Sequence, residues 1–242
     1  MAYEKDITFV TTAMLRPKIL GRTLGSFARN LTNIDLLKCK LIMNVDPLPL
    51  EQNTDDCRKK ISEVAEKSFG EVDIHFSDIP NHTQAVKRCW SKADTDFIFH
   101  LQDDWKLVRK VCMRSIMKRM SKDDIEQVSL MRKCNNCPLK VNLTPSLMSK
   151  KWYKGLSDLL DTNVACEHQI QRIFSPQDNS FPNHPEKLNH RCVSFFPERD
   201  SKKHVVIDIG REWIKGQNYV RPSHGEFVTW TRDKGSKGKW RK

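Results

Sequence analysis

The chain has 242 residues, with 42 Lys and Arg against 30 Asp and Glu, a formal net charge of +12 and eight cysteines. That length supports one sizeable core, no run of about 18 apolar residues marks a membrane span, and the first residues lack the regions of a secretory signal, so a protein kept in a cytoplasm and bound to no membrane is expected. The charge excess points to a polyanion such as nucleic acid or an anionic surface, and cysteines without a repeated framework fit reduced thiols rather than disulfides.

Residues 6–12 are β-branched and apolar and end in the hydroxyls of Thr11 and Thr12, which predicts a first strand. Leu15-Arg16-Pro17 breaks it, and Ile19, Leu20, Leu24, Phe27 and Leu31 recur at helical spacing after it. Arg16, on this turn, is either an ordinary surface charge or a ligand contact. A second strand over 39–46 is stopped by Pro47 and ends on Asp46, at the same edge as Thr11 and Thr12 if the sheet is parallel. A solvated helix over 54–69, an alternating strand over 72–76 and a helix beginning near Asn81 follow.

The run Phe97-Ile98-Phe99-His100-Leu101-Gln102-Asp103-Asp104-Trp105 is the stretch around which the chain is organised. It predicts a buried strand that empties into paired carboxylates. Adjacent side chains on a strand face opposite ways, so Asp103 and Asp104 are expected on the turn that leaves it. They are candidates to hold a divalent cation at the carboxyl edge of an open sheet, or else to cap the helix that follows.

Between 106 and 122 there are basic residues and no acid. With Val108, Val111, Cys112, Ile116 and Met120 as an apolar stripe, this predicts an amphipathic helix whose basic face carries Arg109, Lys110, Arg114 and Lys118. The face is either solvated or set against a phosphate backbone. Cys134-Asn135-Asn136-Cys137 has zinc-knuckle spacing, which Cys166 and His168 could complete. Short strands are expected over 127–131, 141–147 and 192–196, helices from Trp152 and over 163–174, and long loops elsewhere in 175–203. The end of the chain, with Lys237, Lys239 and Trp240, is a basic arm able to bind a polyanion or to stack on a base.

The segment 93–105 resembles the one that ends in the Asp-x-Asp motif of GT-A, family 2-like nucleotide-sugar glycosyltransferases, with Gln102 where an acid is commoner. The resemblance implies an α/β fold, a GT-A-like three-layer sandwich with a mostly parallel central sheet and helices on both faces. It makes residues 1–230 one catalytic domain, with the donor half over 1–110 and the acceptor half over 111–230, and leaves 231–242 as a flexible tail. It implies Mn²⁺ or Mg²⁺ at Asp104 and Asp103, and a UDP-sugar donor contacted by Thr11, Thr12, Arg16, Asp46, Thr83, Lys87, Asp103 and Arg211, with Arg88 as a further candidate. Glu167, heading a helix after a Pro-Ser-Leu strand, matches the family's general base and implies inversion. The segment 204–213 resembles the family's late Asp-x-Gly-Arg-x-Trp stretch, which makes Asp208, Arg211 and His224 diphosphate or metal contacts and the loops at 175–203 and 214–226 lids.

With the basic charge added, the expected acceptor is 5-hydroxymethylcytosine in double-stranded or locally opened DNA, as in some bacteriophage glycosyltransferases. A surface glycan or a protein is the alternative acceptor, and a non-catalytic nucleic-acid-binding protein is the alternative class. Oligomeric state is left open.

Overall fold

A computed structural model describes residues 4–48, 55–121, 125–131, 143–173, 193–195, 204–216, 219–220 and 231–232. The first half of the chain consists of β1 (Ile7–Met14), α1 (Pro17–Asn30), β2 (Leu31–Thr32), β3 (Lys40–Asp46), α2 (Asp55–Glu66), β4 (Glu71–Phe76), α3 (His82–Lys92) and β5 (Phe97–Gln102). Then come β6 (Trp105–Leu107), β7 (Val111–Cys112), α4 (Met113–Met120), β8 (Gln127–Ser129), β9 (Ser146–Ser149), α5 (Lys150–Leu159) and α6 (Cys166–Ile173). The last elements are β10 (Val193–Phe195), β11 (Val206–Asp208), α7 (Gly210–Gly216), β12 (Tyr219–Val220) and β13 (Thr231–Arg232).

The central sheet has seven strands in the order β10-β8-β9-β5-β1-β3-β4. β4, β3, β1 and β5 run parallel, and β9 enters antiparallel to both β5 and β8. The chain moves outward from β1 through β3 to β4, then returns to place β5 on the other side of β1. The topological switch point therefore lies between the carboxyl ends of β1 and β5, where an open α/β sheet leaves a crevice for ligands.

Strand alternation divides the core into two layers. Phe9, Leu41, Met43, Phe99 and Leu101 face one side, with residues of α1, α2 and α4. Phe9 lies 5.1 Å from Phe69 and 5.1 Å from Phe99, ring centroid to centroid. Val10, Ile42 and Ile98 face the other side, against Val86, Trp90, Trp152, Tyr153 and Ile170 of α3, α5 and α6. Each such large side chain, fully buried, contributes about 1.5–3 kcal/mol of transfer free energy. The three-layer architecture is the one expected.

Three local expectations change. No helix follows the paired acids directly: 105–107 is a strand that pairs antiparallel with β11, and 111–112 pairs with β2, so the amphipathic helix shrinks to α4 and the capping role for Asp103 and Asp104 falls away. Two long-range ladders override the local helical period, because a paired backbone satisfies its polar groups as well as a helix does. The strand expected over 141–147 begins only at Ser146. Thr231–Arg232, assigned to the flexible tail, instead pairs with Tyr219–Val220. Among the described residues no helix is long and apolar enough to cross a membrane.

Candidate active site at the switch point

Asp103 is the keystone of the crevice. Its carboxylate accepts two hydrogen bonds from Arg16, at 2.6 Å from Nη2 and 3.1 Å from Nε, and a third from the Met14 amide at 3.1 Å. Its amide donates to the Thr12 carbonyl, and its carbonyl accepts from the Thr23 hydroxyl at 2.5 Å. The two side chains of the ion pair are 3% and 5% exposed, so the pair works as a buried clamp joining β1, α1 and β5. Arg16 also lies 5.1 Å from the Trp213 ring, a cation–π contact with α7.

Asp104 is left as the working carboxylate. Its side chain is 26% exposed and 3.6 Å from Arg16 Nη2. Burial, then the charges of Asp103 and Asp208, push its carboxyl up to about 7, against the pull of Arg16. The late segment is what crowds it: Asp208 pairs with Trp105 in the β6–β11 ladder, and the Ile209 amide donates to the Asp104 carbonyl at 2.8 Å. Asp208 itself accepts from the Gly210 amide at 2.9 Å and pairs with Arg211 Nε at 2.8 Å.

Gly210 is required by this close approach, since a Cβ there would sit 2.5 Å from Asp104 Oδ2 and 2.7 Å from its Cβ. Gly210→Ala must therefore move the carboxylate. Displacements of about 1 Å cost about 100-fold in rate, so a fall in turnover of about 10- to 100-fold is expected, together with a lower melting temperature because the clash reaches the Asp104 Cβ; donor turnover and thermal melting, measured side by side, check it.

A second carboxylate, Asp46, ends β3 and is 8% exposed. Asn44 Nδ2 donates to its Oδ1 at 2.8 Å and the Asn81 amide to its Oδ2 at 3.1 Å. Burial raises its pKa while the hydrogen bonds from Ser77, Asn81 and Asn44 and the nearby His82 lower it. Asn44 shares the sheet face of Asp46 because the two are i and i+2 on one strand. That spacing was visible in the sequence, and Asn44 was missed as the residue that orients the acid.

The other expected site residues separate into groups. Thr12, paired with Asn44, lies on the Asp46 face at 6% exposure, whereas Thr11 is 0% exposed and closed off from the crevice. Thr83 Oγ1 donates to the Val164 carbonyl and Lys87 Nζ to the Leu160 carbonyl, both at 2.8 Å, so these two staple the acceptor-side loop rather than face a donor. Asn81 Nδ2 adds a third bond, to the Thr162 carbonyl at 3.0 Å. Gln169, fully buried, clips the same loop through the Asp161 amide and the Asp161 and Val164 carbonyls. These bonds present Glu167, exposed in the first turn of α6, close enough to His82 for their charges to interact. Arg211 is 83% exposed beside Asp208.

Arg109, Lys110, Arg114 and Lys118 are all exposed, with Arg114 and Lys118 one helical turn apart and Arg109 Nε donating to the His204 carbonyl. His224, Lys237, Lys239, Trp240, Cys134 and Cys137 lie outside the described residues. Cys166 is buried, with its thiol pushed up by burial.

Among the described residues no group of three or more His, Cys, Asp and Glu side chains forms a ready metal cage. Asp104 and Asp208 nevertheless suit a hard divalent cation: both are oxygen donors whose charges repel, Arg16 is bonded mainly to Asp103, and the Arg211 partner of Asp208 is exposed. Mg²⁺ commonly takes one or two protein carboxylates and completes its shell from substrate phosphates.

A parallel half-sheet with its crevice at the β1/β5 switch point, an antiparallel strand beyond it and acids at the carboxyl edge define the GT-A glycosyltransferase fold. A solved structure agrees in fold. The chain is similar to a mannosyltransferase from Pyrobaculum calidifontis, solved in complex with GDP-Man and Mn²⁺, at 10% identity and a TM-score of 0.54, over 71% of this chain and 52% of that one. S. aureus TarS is a further similar structure, at 11% identity and a TM-score of 0.48, over 85% of this chain and 61% of that one. The chain thus spans about half the length of the mannosyltransferase it matches. No family's sequence profile matches it, and no curated protein is similar to it in sequence.

Proposed function

We infer that the protein is a metal-dependent, inverting glycosyltransferase that moves a sugar from a UDP-sugar to a hydroxyl, with 5-hydroxymethylcytosine in DNA as acceptor. The observation that carries the reading is the pair of acids Asp46, at the end of β3, and Asp104, on the turn that follows β5, which flank β1 at its carboxyl end within a GT-A frame.

In this reading Asp46, held by Asn44 and the Asn81 amide, accepts hydrogen bonds from the nucleoside. Asp104 with Asp208 holds Mn²⁺ or Mg²⁺, which when bound neutralises the charge that builds on the leaving diphosphate. Glu167, kept in place by the Gln169 clip, takes the proton of the acceptor hydroxyl as its oxygen attacks the sugar carbon. Arg16 and Asp103 keep the turn rigid so that Asp104 does not drift. The exposed cations Arg109, Lys110, Arg114 and Lys118 supply counter-charge for a phosphate backbone, in a chain whose net charge is +12.

The test is nucleoside mass spectrometry of hydroxymethylcytosine DNA incubated with the protein, Mn²⁺ and a panel of UDP-sugars, with unmodified DNA as control. A sugar-sized gain that needs the hydroxymethyl group is expected. Glu167→Gln should cut transfer by about 100- to 10,000-fold and leave donor affinity intact. Release of UDP without gain on DNA moves the acceptor to a glycan or a protein; no use of any donor overturns the reading.

A further inference from the structure

His82 is the residue that the sequence reading passed over between Asn81 and Thr83, and it stands beside the end of β5, at Gln102. It stands at the first position of α3, capped by Asn81, whose side chain accepts from the Gln84 amide at 2.9 Å. Acids from three directions bear on its charge: Glu167 of α6, Asp46 at the end of β3 and Asp103 after β5. It is thus near enough to the proposed nucleoside acid and the proposed base for both charges to act on it.

A short hydrogen-bond chain sets its orientation. Trp105 Nε1 can only donate, and it donates to Gln102 Oε1 at 2.9 Å. That bond fixes which end of the Gln102 amide is oxygen, and the opposite end, Nε2, lies 3.5 Å from His82 Nε2. An amide nitrogen can only donate, so His82 Nε2 is the acceptor and the proton of the neutral ring resides on Nδ1. Burial keeps the ring in this neutral form in spite of the acids around it. Among the described residues Nδ1 has no hydrogen-bond partner. Gln102 stands where the resembled family more commonly has an acid; an acid there would accept from Nε2–H and reverse the tautomer.

The class of ligand follows from the charges. An anionic phosphate oxygen is poorly placed among Asp46, Asp103 and Glu167. A sugar hydroxyl is well placed, since it accepts from Nδ1–H and donates onward to a carboxylate. We propose that His82 is a specificity residue for the transferred sugar: its Nδ1–H donates to a ring hydroxyl of the donor, in an orientation imposed by Trp105 and Gln102. The proposal rests on the glycosyltransferase reading and deepens it.

Calorimetric titration of the metal-loaded protein tests it with UDP, with UDP-glucose, UDP-galactose and UDP-xylose, and with deoxy analogues of whichever sugar binds tightest. The expected result is that His82→Ala binds UDP as the parent does but loses about 10- to 100-fold in affinity for the preferred UDP-sugar, as for a lost hydrogen bond to a buried polar group. One deoxy analogue should bind the parent as weakly as the full sugar binds His82→Ala, and the variant should no longer distinguish the two. Gln102→Leu, which removes the orienting donor together with the acceptor of Trp105 Nε1, should show the same pattern more weakly, with melting temperatures separating this from misfolding. Equal loss of UDP and UDP-sugar affinity, or retained discrimination in a folded His82→Ala, would overturn the role of His82 and leave the enzyme class standing. Failure of the parent to bind any UDP compound would instead sink the UDP-sugar reading and this proposal with it.

Discussion

Asp104→Asn should abolish donor turnover and at the same time make the metal-free protein more stable at pH 8. The loss of turnover, about 100-fold or more, follows from removing the carboxylate proposed to hold the cation. The gain in stability follows from the carboxyl being pushed up to about 7 from 3.8, chiefly by burial and by Asp103. A folded-state pKa above the unfolded value means that ionising the group costs the native state stability, fully so above pH 7 and not at all below about 4.

A shift of this size corresponds to about 4 kcal/mol, but Asp104 retains some solvent and an amide must itself be buried, so a net gain of about 1–2 kcal/mol is expected. For a chain of this length that raises the melting temperature by about 2–8 °C. The difference between parent and variant should shrink as the pH falls from 7 towards 4. Added Mn²⁺ should stabilise the parent and not the variant. Thermal melts over this pH range, with chelator and with Mn²⁺, measure all of these effects; a variant less stable than the parent at pH 8 would contradict the assignment of Asp104 as the uncompensated acid.

The largest loss of stability should come from Arg16→Met. The Arg16–Asp103 pair has both side chains at or below 5% exposure, and removing one partner of a buried ion pair typically costs about 3–5 kcal/mol because the other charge is left unpaired. Here Asp103 and Asp104 would repel each other with no guanidinium between them, and the contact with Trp213 would go as well. A fall in melting temperature of about 6–20 °C is expected. The double variant Arg16→Met, Asp103→Leu should recover most of the loss, since replacing a whole buried pair by apolar groups is often close to neutral. Denaturant midpoints for the two single variants and the double variant complete the cycle, and additive losses would show that the two residues do not act as a clamp.

Much of the donor half can be read directly from residue order. The alternation in β1, β3 and β5 is strong, because each is buried on both faces, and Pro17, Pro47 and the paired acids punctuate their ends. That was enough to anticipate the sheet, the edge at which ligands bind and the acids Asp46, Asp103 and Asp104 standing there. The acceptor side is harder because its elements are short: β6, β8 and β11 have three residues each, too few to establish a period against neighbouring helical patterns.

Tertiary structure alone decides the division of labour. Asp103 and Asp104 are chemically identical neighbours, and nothing local makes one a buried clamp and the other a crowded, partly exposed acid. Arg16 arrives 87 residues away in sequence and neutralises the first, while Asp208 and Gly210 return more than a hundred residues later and crowd the second. The orientation of His82 depends likewise on Gln102, at the end of β5, whose amide is held from β6 by Trp105. Short-range order specifies strands and helices because backbone hydrogen bonding and side-chain period act over a few residues. Which ionisable group is buried, paired or exposed is set by charges and low-dielectric surroundings assembled from distant parts of the chain.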